Sequence, residues 1–339
     1  MKFPSRKKLT TFFLISGMFS QLGVFGVLWI GSNMILHPKR RPLEERHHLV
    51  NANPSDYGMI LEPFEAPTQD GQFLKGYIVH PHPNPGTAER TRRMRARLNK
   101  AGVKKSPDPR GTVILMHGRG GLKENMLTIA QRFIAADLRC IVFDARAHRE
   151  SGGTKCTYGL LERSDVSMVL DHIEAILSEH NSEPGPVVAF GNSLGAAVML
   201  QTIPHEPRII AGVAAAPFAD MREVVTHSIG NLTSHRVPEI FRSTIVEFAR
   251  FRGGFRYQEI APENSAGFVK VPVFVTHGSL DKVIPINHAR RVFQKLPESS
   301  RKWQEIPDAY HFNILAKGGD DLYEEMIHFY LRAISQHSS

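Results

Sequence analysis

Between an apolar run that reads as a strand, Pro186-Val187-Val188-Ala189-Phe190, and one that reads as a helix, Ala196 through Ile203, the chain carries Gly191-Asn192-Ser193-Leu194-Gly195. A serine at the apex of so tight a strand-to-helix turn has a strained backbone, and the helix packs hard against the strand it follows. The residues two positions to either side must therefore be small. Both are glycine. The pentapeptide reads as a nucleophile elbow and commits its surroundings to strands that feed helices.

The rest of the chain has the same grammar. Alternation in 62–66, a turn at Asp70-Gly71 and renewed alternation in 73–80 predict a hairpin. From Thr112 short apolar runs alternate with amphipathic ones, the pattern of a mainly parallel sheet with helices on both faces. Strands are predicted at 112–116, 139–143, 187–190, 209–215, 273–276 and 302–306, with helices at 124–136, 162–179, 194–203, 287–296 and 322–335. The hairpin brings the sheet to about eight strands, with only the first pair antiparallel. With 339 residues, 42% hydrophobic, the chain can build one large core of this kind.

Two segments break the alternation. Residues 81–110 open with Pro81, Pro83 and Pro85 and then carry Arg90, Arg92, Arg93, Arg95, Arg97, Lys100, Lys104 and Lys105 against a single acidic residue in that run, Glu89. This basic insertion reads as a solvated loop, with anionic lipid contact through 90–105 as its functional alternative. It has no aromatic side chain on which bases could stack, which argues against nucleic acid. The second insertion, 217–270, mixes Phe218, Met221, Ile229, Ile240, Phe241, Phe248 and Phe251 with basic residues and reads as a helical lid over the carboxyl edge of the sheet.

Much of the net charge of +9 lies in that first insertion and in the flanks of 9–36, a stretch without a charged residue. At about 28 residues it exceeds the roughly 20 that cross a bilayer core, so it is expected to be a single-pass anchor between a basic N-terminus (1–8) and a connector (37–56). A cleaved signal peptide and a buried core helix are the rivals, the first disfavoured by the length of the run and the lack of a small-residue cleavage site. Basic residues on both sides leave the orientation open. The two cysteines, Cys140 and Cys156, exclude a disulfide framework.

A serine hydroxyl needs a base to take its proton and an acid to orient that base. The run 273–281 ends a strand and delivers Asp281 in the loop beyond it; His311 follows the last strand in Pro307-Asp308-Ala309-Tyr310-His311. Asp308, three residues before the histidine, is the weaker competitor for the orienting role. Backbone NH donors for a developing oxyanion are expected from Arg119, in the glycine-rich loop Met116-His117-Gly118-Arg119-Gly120-Gly121, and from Leu194, with Gly118 as fallback. His117 and His277 end strands beside glycines without a ligating partner at metal spacing, so no metal or organic cofactor is expected.

With the order Ser193, Asp281, His311 and the landmarks His117-Gly118, 143–153, His277-Gly278 and Pro285, residues 57–335 resemble the α/β-hydrolase superfamily. Within it the chain resembles membrane-anchored bacterial serine hydrolases related to serine aminopeptidases and prolyl-oligopeptidase-type enzymes. The resemblance implies hydrolysis of a carboxylic ester, or a thioester or amide, through an acyl-enzyme at the bacterial inner membrane, and the tether and phenylalanine-rich lid favour a small acyl or lipid-like substrate. Peptidase activity is the alternative within the enzyme class, and a non-catalytic membrane scaffold is the alternative outside it. Many relatives have glycine where this chain has Ala147 and Arg149, so the turn there is expected to be shaped differently.

Overall fold

The computed structural model describes residues 23–337. A hairpin of β1 (Met59–Pro67) and β2 (Phe73–Pro81) leads into β3 (Thr112–Met116), β4 (Arg139–Phe143), β5 (Val187–Asn192), β6 (Ile209–Ala215), β7 (Val273–Gly278) and β8 (Arg301–Ile306). They form one eight-stranded sheet in the order β1-β2-β4-β3-β5-β6-β7-β8. From β4 to β8 every neighbour is parallel. The expectation of a single antiparallel pair is corrected: β2 runs antiparallel to β4 as well as to β1.

The strands at the centre of the sheet are buried along their whole length, so they read as continuous apolar runs, and successive side chains enter opposite cores. On β3, Ile114 and Met116 join the layer under α5 (Glu162–Glu179), α6 (Leu194–Thr202) and α10 (Ile286–Lys295). Val113 and Leu115 face α4 (Lys123–Ile134) and α11 (Ile314–His337). Every residue of α6 is buried, which explains why it has no polar face.

The basic insertion is not a solvated loop. It contains α3 (Glu89–Lys100), which buries Thr91, Met94 and Leu98 against the body. Three of its arginines are paired within the fold: Arg95 with Asp137, Arg93 with Asp320, and Arg97 with Asp321 and Glu324. The helical period of Thr91, Met94 and Leu98 was the available signal, and the density of arginines masked it. The lid segment holds α7 (Met221–Leu232), α8 (Glu239–Gly253) and the short α9 (Pro262–Ala266).

The anchor expected over 9–36 begins outside the described residues. Residues 23–36 are helical, α1, and among the described residues no helix is long and apolar enough to cross a membrane. A further helix, α2 (Glu45–Ala52), precedes β1.

Candidate active site

The elbow has the geometry its glycines imply. Ser193 stands between β5 and α6 at φ 55°, ψ −115°, a conformation rare for any L-residue. A Cβ on Gly195 would lie 2.1 Å from the Met116 carbonyl oxygen, and one on Gly191 2.4 Å from that of Gly195. Only glycine lets β3, β5 and α6 approach this closely, which holds the serine at the carboxyl edge of the sheet.

Three loops of that edge bring together side chains far apart in sequence. His311 Nε2 lies 3.0 Å from Ser193 Oγ and accepts its proton; His311 Nδ1–H donates to Asp281 Oδ2 at 2.7 Å. The other oxygen, Oδ1, accepts the backbone NH groups of Val283 and Ile284, each at 2.9 Å. Asp281 and His311 are both buried. Burial opposes the charge of Asp281, but hydrogen bonds from His277, His311 and the Ile284 amide outweigh it and hold the carboxyl well below the usual carboxylate range. Asp308, the weaker competitor, sits in a left-handed turn, φ 56°, with its backbone NH donating to Ser279 Oγ, while the carboxylate bonded to His311 is that of Asp281.

His277 is the residue that sequence reasoning undervalued. It is fully buried, donates Nε2–H to the Ile284 carbonyl at 2.8 Å, and stands 3.3 Å from Asp281 Oδ2. It therefore closes the loop that carries the acid. Its adjacency to Gly278 was visible in the sequence; its contact with the far side of a seven-residue loop was not.

The loop after β3 presses on the elbow, since a Cβ on Gly118 would sit 3.3 Å from Ser193 Cβ. Leu194 is the first residue of α6, so its NH has no carbonyl within the helix to bond. Among the described residues, no protein acceptor takes the NH of Arg119 or of Leu194. The Arg119 side chain turns away and donates to the carbonyls of Met34 and Ile35 at the end of α1.

Beyond β4, Ala147 (φ 61°) and Arg149 (φ 30°) adopt the left-handed conformation that glycine favours, so the turn carries backbone strain. This loop supports the site through two imidazoles in edge-on contact. His117 donates Nδ1–H to Gly118 O and accepts the Ala145 NH at Nε2, and its ring meets that of His148 edge-on at 4.9 Å. His148 donates Nδ1–H to the Arg146 carbonyl. Burial, with His117 beside it, pushes His148 down to about 3, and burial lowers His117 too. Among the described residues, no cluster of three or more potential ligands could hold a metal ion.

The sign of the resulting pH dependence follows. Unfolded, His148 takes up a proton near its ordinary pKa of about 6.5; folded, it refuses one until about pH 3. The unfolded state therefore binds more protons throughout that window, and stability falls as the pH is lowered through it. Urea midpoints measured from pH 7 to pH 4 are expected to drop steadily. His148→Gln is expected to flatten the slope, and an unchanged slope would contradict the buried neutral imidazole.

An apolar cavity of about 450 Å³ opens onto Ser193. Its walls come from α1 (Val27, Met34), α7 (Val225, Ile229), α8 (Ile245) and the loop after Asp281 (Ile284).

Comparisons with known proteins agree with this architecture. Residues 107–260 match the family described as serine aminopeptidase, S33. The chain is 25% identical over 291 residues to the uncharacterized protein YqkD of Bacillus subtilis, covering 80% of this chain and 83% of that one. It is 23% identical over 235 residues to a monoacylglycerol lipase of Mycolicibacterium smegmatis, covering 60% and 82%. Among solved structures, an esterase of Pyrococcus furiosus, Pf2001, superposes with a TM-score of 0.65 at 19% identity, covering 88% of this chain and 98% of that one. The fold is that of the α/β-hydrolases.

Proposed function

We propose that the protein is a serine hydrolase that cleaves carboxylic esters bearing an apolar acyl chain, through an acyl-enzyme. The observation that carries this reading is the continuous hydrogen-bonded line from Ser193 Oγ through His311 to Asp281, at the floor of an apolar cavity. Ser193 attacks the ester carbonyl as His311 Nε2 takes its proton. Asp281 holds the imidazole in the tautomer with Nδ1–H and stabilises the imidazolium that forms. The NH groups of Arg119 and Leu194 receive the oxyanion. His311 then returns the proton to the leaving alcohol, and water repeats the sequence to release the acid.

The aliphatic walls favour an acyl chain over a charged or sugar-like group, because a polar substituent there would lose its hydration without a partner. In this reading the uncharged stretch that starts at Leu9 keeps the enzyme at a membrane, with its residues 23–36 given to α1 against the body.

The test is covalent. A fluorophosphonate probe is expected to label the purified protein and to leave Ser193→Ala unlabelled. Failure to label the parent under conditions where it is folded would remove the enzyme reading and favour a scaffold that retains the hydrolase fold.

A further inference from the structure

The helix that precedes the hydrolase domain is built into the site and is not a leash beside it. Val27, Ile30, Gly31, Met34 and Ile35 of α1 line the cavity that reaches Ser193. The last carbonyls of a helix have no partner within it, and here the body of the enzyme supplies donors. Arg119, from the loop beside the elbow, donates to Met34 O and Ile35 O; Tyr158 Oη–H donates to Ile35 O at 3.0 Å; and the Cys156 NH donates to Leu36 O at 2.8 Å. A guanidinium at this end also complements the helix dipole. From α8, Arg252 donates to Ser32 Oγ and Asn33 Oδ1, with its guanidinium 3.6 Å above the Trp29 ring.

Close packing completes the seam. A Cβ on Gly31 would lie 2.6 Å from Ile245 Cγ2, so α1 and α8 touch at a position that only glycine allows without displacing Ile245. Phe25 meets Phe248 edge-on at 5.8 Å. Yet at the cavity the two sides stand apart. Val224, Val225 and Ile245 are nearly buried on the lid side, while Ile30 and Met34, 62% and 54% exposed, stand at the open side of α1.

We propose that α1 is the outer wall of an acyl tunnel, so that the substrate's chain lies between α1 and the lid helices α7 and α8 and its length is measured by Ile30 and Met34. The proposal rests on the ester-cleaving reading of Ser193 and names the substrate class more narrowly: esters of medium to long unbranched acids. At roughly 30 Å³ for a group the size of a water molecule, the cavity holds on the order of 10 to 15 carbons.

Two measurements test it on the full-length protein in detergent. The first is kcat/KM over p-nitrophenyl esters from two to sixteen carbons. Met34→Trp fills the tunnel and is expected to lower the twelve-carbon to two-carbon ratio at least about tenfold, the scale set by a few misfitted methylenes. Met34→Ala is expected to move the optimum to longer chains, and Ile30→Trp repeats the test should Met34→Trp fail to fold. The second needs no turnover: binding of 11-(dansylamino)undecanoic acid to Ser193→Ala is expected to weaken at least about tenfold when Met34→Trp is added. An unchanged chain-length profile together with unchanged binding of the dansyl acid would overturn the proposal. Binding that responds to Met34→Trp in a protein that neither turns over esters nor reacts with fluorophosphonate would instead uphold the wall and sink the ester-cleaving reading.

Discussion

Asp281→Asn is expected to lower kcat on a short-chain ester by about four orders of magnitude while leaving the fold intact. In the native site the carboxylate accepts on both oxygens: Oδ1 from the Val283 and Ile284 amides, Oδ2 from His311. An asparagine that keeps its oxygen on the two amides must point its NH₂ at His311 Nδ1–H, donor against donor. The imidazole escapes by moving its proton to Nε2, where it can no longer take the proton of Ser193. KM is expected to change little, because the side chain lies behind the imidazole and away from the acyl cavity. Fluorophosphonate labelling is expected to slow in parallel with turnover, since it needs the same activated oxygen. Asp308→Asn is the control: it removes the acid nearest to His311 in sequence and is expected to leave the rate within about twofold, as surface substitutions generally do. A loss of activity in Asp308→Asn and none in Asp281→Asn would reverse the assignment.

The second large effect is on stability. Arg146 is buried and joins three segments: it grips Asp165 of α5 with two bonds of 2.6 and 2.7 Å, and reaches Asp70 in the β1–β2 turn at 2.9 Å. Hydrogen bonding to Arg146 and to Thr68 holds the Asp70 carboxyl down at about 2. Arg146→Met would keep most of the side-chain volume but leave Asp165 as a buried carboxylate without its counter-charge. Breaking a buried pair in this way costs about 3–5 kcal/mol, to be read as a lower urea midpoint at constant slope. Adding Asp165→Asn to Arg146→Met is expected to restore a large part of the loss, since the stranded charge and not the missing bond dominates the cost. If the double variant is no more stable than the single one, the buried pair is not what holds this corner together.

How much of this was legible follows from how local each constraint is. Gly191 and Gly195 had to be glycine because backbone atoms stand where a side chain would be, and a rule that strict leaves its mark in five consecutive residues. The central parallel strands were legible because burial on both faces makes them largely apolar. The order Ser193, Asp281, His311 was legible because each ends a strand of the same polarity, so each must emerge at the same edge. The meaning of Arg146 was not legible, because its partners lie 19 and 76 residues away and no period links them. Nor was that of His277, whose ring closes the acid loop, or of Arg119, whose side chain fastens a helix more than eighty residues earlier in the chain.

The amino-acid sequence by itself determined the alternating architecture, the elbow and the identity of the three residues that meet there, since those depend on local sterics and on strand direction. Only the tertiary structure decided that the arginine-rich insertion is a docked helix with paired charges, and that the apolar N-terminal helix forms a wall of the cavity above Ser193. An apolar or basic stretch has the same composition whether it meets lipid, water or another part of its own chain. What separates these outcomes is the complementary surface opposite, and that surface exists only once distant segments have packed.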